Sequence, residues 1–153
     1  MSKFIVKPIG VVHNDIKQTG YRDCKEIVSE IEIDGKWAEL LDGIEEFSHI
    51  IVLFWMHAVP PDSPPPARVH PRGRADLPLV GLFATRAPQR PNPIGLTIVK
   101  LLKRRGTTLT VQGLDAIDGT PVIDIKSYMI PKIAPKEIRM PEWVAKLRTP
   151  PKP

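Results

Sequence analysis

Residues 48–57 read SHIIVLFWMH. From Ile50 to Met56 every side chain is apolar, and β-branched and aromatic types dominate. The run is too short for a bilayer, which needs about 20 apolar residues. Its composition suits a strand far better than a helix, and its lack of alternation suits one covered on both faces. Residues 48–57 are therefore read as the central strand of a sheet. Further strands surround it in sequence. Downstream come LVGLFA (79–84), GLTIVKLLKR (95–104) and, after a turn at Arg105-Gly106, TTLTVQGL (107–114). Asp118-Gly119 makes another turn before PVIDIKSYM (121–129). Upstream, IVSEIEI (27–33) alternates apolar and charged residues as a half-buried strand does, while Phe4–Val6 and Ile9–Val12 flank Pro8 as strand material.

Two stretches are predicted to be helical. In DGKWAELLDGIEEF (34–47), Trp37, Leu40, Leu41 and Ile44 share one face, and Gly43 can take a left-handed terminus. PEWVAKLR (141–148) offers a short helix with Pro141 at its first position. Many strands, short turn spacing and few helices predict an all-β fold, a single antiparallel barrel-like or sandwich domain with one or two short helices. The domain is placed at residues 1–140, with a short tail at 141–153.

The chain has 153 residues, a net charge of +5 and a pI of about 9.5. Hydrophobic content of 42% and charged content of 25% are globular values, and the basic excess favours an anionic partner, nucleic acid first. A single cysteine, Cys24, excludes an internal disulfide and a cysteine-based zinc site. His13, His49, His57 and His70 show no metal-ligand spacing, so no metal is expected. There is no secretory h-region at the N-terminus, and a cytoplasmic location is expected. Neither GxGxxG nor GxxxxGK[ST] occurs, so the usual nucleotide-binding folds are not signalled.

Ten of the eighteen prolines fall between residues 60 and 93, which marks a rigid, sheet-free region starting with PPDSPPPARVHPRGR (60–74). From Arg68 to Arg90 there are five arginines (68, 72, 74, 86, 90) and His70 against one acid, Asp76. Guanidinium forks on a stiff backbone suit phosphate. The competing reading pairs them with acids of the helical stretch, Glu45 and Glu46 among them. Asn92, clamped between Pro91 and Pro93, has either a capping task within the loop or a contact to a base.

GLFATRAPQRPNPIGLTIVKL (81–101), followed by GLDAIDGTPVIDIK (113–126), closely resembles the TsaA-like family, also called TrmO. PIGVV, GIEEFSHIIVLFWMH and VHPRGR extend the resemblance. It implies a non-Rossmann, β-barrel methyltransferase that uses S-adenosylmethionine, works as a homodimer, and methylates N6 of threonylcarbamoyladenosine beside the anticodon of threonine tRNA. It also implies cofactor contacts at His57, Ala58, Arg86, Leu96, Ile117, Asp118, Gly119 and Thr120. Arg68, His70, Arg72, Arg74, Arg90 and Asn92 are then expected on the RNA side. Asp118 and His57 are the candidate proton acceptors. The first loop here reads QTGYRDCKE (18–26) in place of the Pro-Arg-Gln of bacterial members, and about 25 residues follow Tyr128 where some relatives carry a larger domain. Other readings are a non-catalytic S-adenosylmethionine- or RNA-binding module, and a methyltransferase for another RNA or a small molecule.

Overall fold

A computed structural model describes residues 2–150. Its elements in chain order include strands β1 (Gly10–His13), β2 (Val28–Ile33), β3 (His49–Trp55), β4 (Arg68–Val69), β5 (Val80–Gly81), β6 (Ile94–Arg105), β7 (Thr108–Gln112) and β8 (Pro121–Ser127). One short helix, α1 (Trp143–Lys146), and several 3₁₀ turns complete it. The residues divide into two compact units, Met1–Pro60 with Pro93–Tyr128 and Pro61–Asn92 with Met129–Pro153.

The first unit is a closed antiparallel barrel in the order β1-β2-β7-β6-β3-β8. Period-2 alternation builds it. Ser29, Ile31 and Ile33 of β2 point inward and Val28, Glu30 and Glu32 outward, as the alternating sequence predicts. Ile50, Val52 and Phe54 of β3 join Val12, Val99, Leu109, Val111 and Val122 in the core. β3 lies between β6 and β8, though in a closed barrel every strand has two neighbours and none is central. It is not covered on both faces, however: Ile51, Leu53 and Trp55 are only half-buried on the outside. A barrel supplies one interior, so an all-apolar strand leaves an apolar exterior row.

Several local expectations are corrected. Phe4–Val6 is not a strand, and these side chains are exposed. Within 79–84 only Val80 and Gly81 pair, and Leu82–Ala84 turns into a 3₁₀ helix. The proline-rich segment does contribute to a sheet, because Arg68–Val69 ladders with Val80–Gly81 inside the second unit. The helical stretch forms 3₁₀ turns at Gly35–Leu41 and Ile44–Glu46, separated by Gly43 at φ 84°. Trp37, Leu41 and Ile44 pack on the core, but Leu40 falls off that face and is exposed. At the C-terminal end, helix begins at Trp143 rather than Pro141.

A bulge in β6 has a long reach. Lys100 pairs with Gln112 and Leu101 with Val111, but the next partner of Thr110 is Lys103, so Leu102 is the extra residue. Beyond it the facing of the strand inverts. Arg104 joins the inward set opposite Leu109 and reaches the barrel end, bonding the Leu41 carbonyl at 2.8 Å, Asp42 at 3.1 Å and Glu45 at 3.1 Å. Glu45 thus does pair with an arginine, though not one from the proline-rich loop.

Candidate functional site

Antiparallel pairing brings three strand ends to one rim of the barrel. Trp55 at the end of β3 opposes Ile94 at the start of β6, and Phe54 opposes Val122 at the start of β8. His57 and Ala58 follow β3, Leu96 is the third residue of β6, and Ile117–Thr120 precede β8. These seven residues, spread over 64 positions of sequence, therefore belong to one end of the barrel. β3 is stopped there by a tight turn: Met56 N–H donates to the Pro93 carbonyl at 2.7 Å and His57 N–H to the Trp55 carbonyl at 2.8 Å. His57 and Ala58 are left exposed. Gly95 is fixed by its neighbour, since a Cβ there would lie 2.3 Å from the Phe54 ring.

The Ile117–Thr120 turn is held from β1 and the loop after it. Gly119 takes φ 78°, which glycine allows without strain. The Asp118 N–H donates to the Ile16 carbonyl, the Gly119 N–H to Val12 and the Thr120 N–H to Ile117, so all three donors are spent internally. A ligand at this turn therefore meets carbonyls and a carboxylate rather than a nest of N–H groups. Asp118 Oδ1 accepts from the Asn14 N–H at 3.1 Å and Oδ2 from Lys17 Nζ at 2.6 Å. These bonds, the lysine's first, hold its carboxyl below the ordinary value. Asn14 is the hub: Nδ2 donates to Ser29 Oγ at 3.0 Å and to the Ala116 carbonyl at 2.9 Å, while Oδ1 accepts from the Ile16 N–H. Sequence reading missed Asn14 and Lys17. The one available signal was Asn-Asp at a strand exit, a common turn former. Cys24 lies nearby in chain terms, buried and bonded to Asp115 at 3.5 Å; burial and that carboxylate push its thiol up to about 11.

In the second unit the arginines divide. Arg74 forks onto Asp76 at 3.0 and 2.6 Å and also donates to the carbonyls of Lys146 and Thr149. Arg72, at φ 55°, donates to the Leu147 carbonyl. Together they bond carbonyls at and just beyond the end of α1. Arg90 donates to the carbonyls of Thr85 and Ala87 and lies 5.4 Å over the Phe83 ring. His70 bonds the Leu77 carbonyl at 2.8 Å. By contrast Arg68 and Arg86 are exposed and, among the described residues, make no hydrogen bond or ion pair. Asn92 is exposed as well, and its side chain makes no capping bond there. Among the described residues no three histidine, cysteine or carboxylate groups gather as a metal site.

A family model described as the tRNA-methyltransferase O N-terminal domain matches residues 16–132. The chain belongs to that family. The matched span of the tRNA-methyltransferase O domain encloses His57, Ala58, Leu96, the Ile117–Thr120 turn and all five arginines of the proline-rich region. Among similar sequences is the S-adenosyl-L-methionine-binding protein of Archaeoglobus fulgidus, 45% identical over 130 residues, covering 81% of this chain and 88% of that one. The tRNA (adenine(37)-N6)-methyltransferase of Mus musculus is 43% identical over 108 residues, covering 71% of this chain and 25% of its own length. The solved TrmO from P. aeruginosa superposes with a TM-score of 0.70 at 28% identity over 93% of this chain. This chain spans 62% of that TrmO structure.

Proposed function

We propose that the chain is an S-adenosylmethionine-dependent methyltransferase that modifies N6 of an adenine in tRNA. Threonylcarbamoyladenosine beside the anticodon of threonine tRNA is the favoured substrate, and the cytoplasm the place of work. One observation carries this reading: the residues implied by family resemblance at positions 57, 58, 96 and 117–120 gather at a single barrel rim although they come from three separate stretches of chain.

The donor set fits the cofactor. Asp118, kept ionised by Lys17 and Asn14, has lone pairs left for ribose hydroxyls or an α-ammonium group. Leu96, exposed, and Ile117, half-buried, offer apolar surface for an adenine. The cofactor would supply a methyl group already activated on sulfur, which leaves the protein mainly alignment to perform. The carbamoylated N6 is amide-like and must lose a proton. A carboxylate whose affinity for protons is lowered accepts one poorly, so Asp118 serves better as a holder. His57, exposed at the end of β3 with no ring hydrogen bond among the described residues, is the better placed acceptor.

A homodimer is part of the proposal. The outward pairs Ile51–Ile98, Leu53–Leu96 and Trp55–Ile94 form an apolar band across β3 and β6, and Leu96 is 57% exposed on it. The test is transfer of labelled methyl to threonine tRNA carrying or lacking the threonylcarbamoyl group. Incorporation into the modified tRNA alone is expected, with loss in Asp118→Ala. The second reading, a binding module without transfer, is favoured by the name of the Archaeoglobus relative. Cofactor binding with no transfer to either RNA would establish it and end the first.

A further inference from the structure

The outer face of β2, β7 and β6 is organised in three cross-strand rows. They read Glu32–Thr108–Arg105, Glu30–Thr110–Lys103 and Val28–Gln112–Lys100. The β6 edge is thus entirely basic, and it is so because of the bulge at Leu102. With strict alternation Lys103 and Arg105 would face away from Lys100; the extra residue returns them to its side and removes Arg104 to the acids at the barrel end. A cleft of about 280 Å³ opens here, lined by Glu30, Lys103, Arg105, Thr108 and Thr110.

The free charges on this face do not balance. Glu32 is held by His13 at 2.9 Å, and Glu26, beside β2, accepts from Gln112 at 3.0 Å. Lys100, Lys103 and Arg105 are exposed and make no ion pair among the described residues, with Glu30 the one unheld carboxylate among the rows. A second copy docked face to face would need as many free acids as bases, and the face lacks them. A polyanion meets the excess. Lys103 and Arg105, two residues apart on one strand face, are about 7 Å from each other, and neighbouring phosphates of one nucleic-acid strand can engage both. The Thr108 and Thr110 hydroxyls beside them can donate to phosphate oxygens.

We infer that the outer face of β6 and β7 is a phosphate-backbone track for the RNA substrate, with Lys100, Lys103 and Arg105 as its cations and Glu30 as an opposing charge that limits affinity. The inference rests on the RNA-directed reading above but concerns residues outside the cofactor rim. It is tested by binding of an unmodified threonine tRNA transcript across a salt series, beside S-adenosylmethionine binding, methyl transfer and sedimentation. Lys103→Gln with Arg105→Gln is expected to weaken RNA binding about tenfold and to lower the slope of log affinity against log salt by about 1 per residue. Cofactor affinity should not move. Glu30→Gln is expected to tighten binding about threefold, a gain that a misfolded variant would not give.

An unchanged affinity and slope in the double variant overturns the track, as does weaker binding by Glu30→Gln. A double variant that alters the oligomeric state makes this face a contact between copies and overturns it equally. Methyl transfer to tRNA that ignores all three substitutions sinks the track and leaves the methyltransferase standing. RNA binding with the expected dependences but without transfer supports the track and ends the methyltransferase reading.

Discussion

The Ile117–Thr120 turn and the Thr85–Pro93 loop both present functional candidates, yet they are built in opposite ways. The turn is held by distant partners: Val12, Asn14, Ile16 and Lys17 all bond it. Up to Asn92 the loop is held by itself, through prolines and through Arg90 bonding carbonyls three and five residues back, while its last residue, Pro93, takes a bond from the Met56 N–H. A turn pinned by tertiary contacts transmits any damage in the β1 exit to the site. A loop pinned locally confines damage to itself. Arg86 and Arg90, four residues apart, show the contrast within the loop: one is free to meet a ligand and the other is spent on shape.

Breaking the distant tether should have the largest effect on stability. Asn14→Ala strands Ser29 Oγ, the Ala116 carbonyl and the Ile16 N–H, at about 2–3 kcal/mol, or roughly 5–10 °C in thermal unfolding. Cofactor affinity should fall with it. Arg90→Ala removes two carbonyl bonds and the Phe83 contact and should cost about 1–2 kcal/mol, read as faster hydrogen exchange confined to residues 83–90. Equal loss of protection across the barrel would contradict the local design. Arg86→Ala, which removes no bond among the described residues, should change stability by less than about 0.5 kcal/mol in urea unfolding.

The smallest effect belongs to Lys17→Met. Asp118 has a depressed folded-state pKa, so its stabilising bonds are fully present above the ordinary carboxylate range and are lost as pH falls through the lower folded value. Without Lys17 the carboxyl should titrate at higher pH, visible as an upward-shifted midpoint in carboxyl NMR. An unchanged midpoint would leave Asn14 as the whole cause.

Most of the barrel was legible because its strands announce themselves. IVSEIEI carries its facing in its alternation, and Gly43, Gly106 and Gly119 all sit at positive φ in the turns their neighbours suggested. The apolar run of β3 was misread as covered twice, since a barrel exterior and a buried face look alike in composition. Positions at the rim were legible only through family resemblance: three short stretches meet by topology, which no local pattern encodes. The Leu102 bulge was invisible for the same reason, and Asn14 was legible only as a turn former, not as a hub. A hydrogen-bond hub and an extra residue in a ladder exist only once partners are assigned. The arginine cluster was legible as charge but not as role, because whether a guanidinium caps a carbonyl or waits for an anion depends on the chain folded beside it.

Phe54 and Gly95 carry a consequence for how this sequence can drift. The ring fills the volume that any side chain at 95 would need, and the two residues face each other across β3 and β6. Each therefore sets the size permitted to the other, and what persists is their combined volume. Gly95→Ala alone should destabilise more than Gly95→Ala placed on Phe54→Leu, a coupling that a double-mutant cycle in urea would read directly. The glycine of PNPIG is in that sense half of a residue pair whose other half lies in the apolar run of β3.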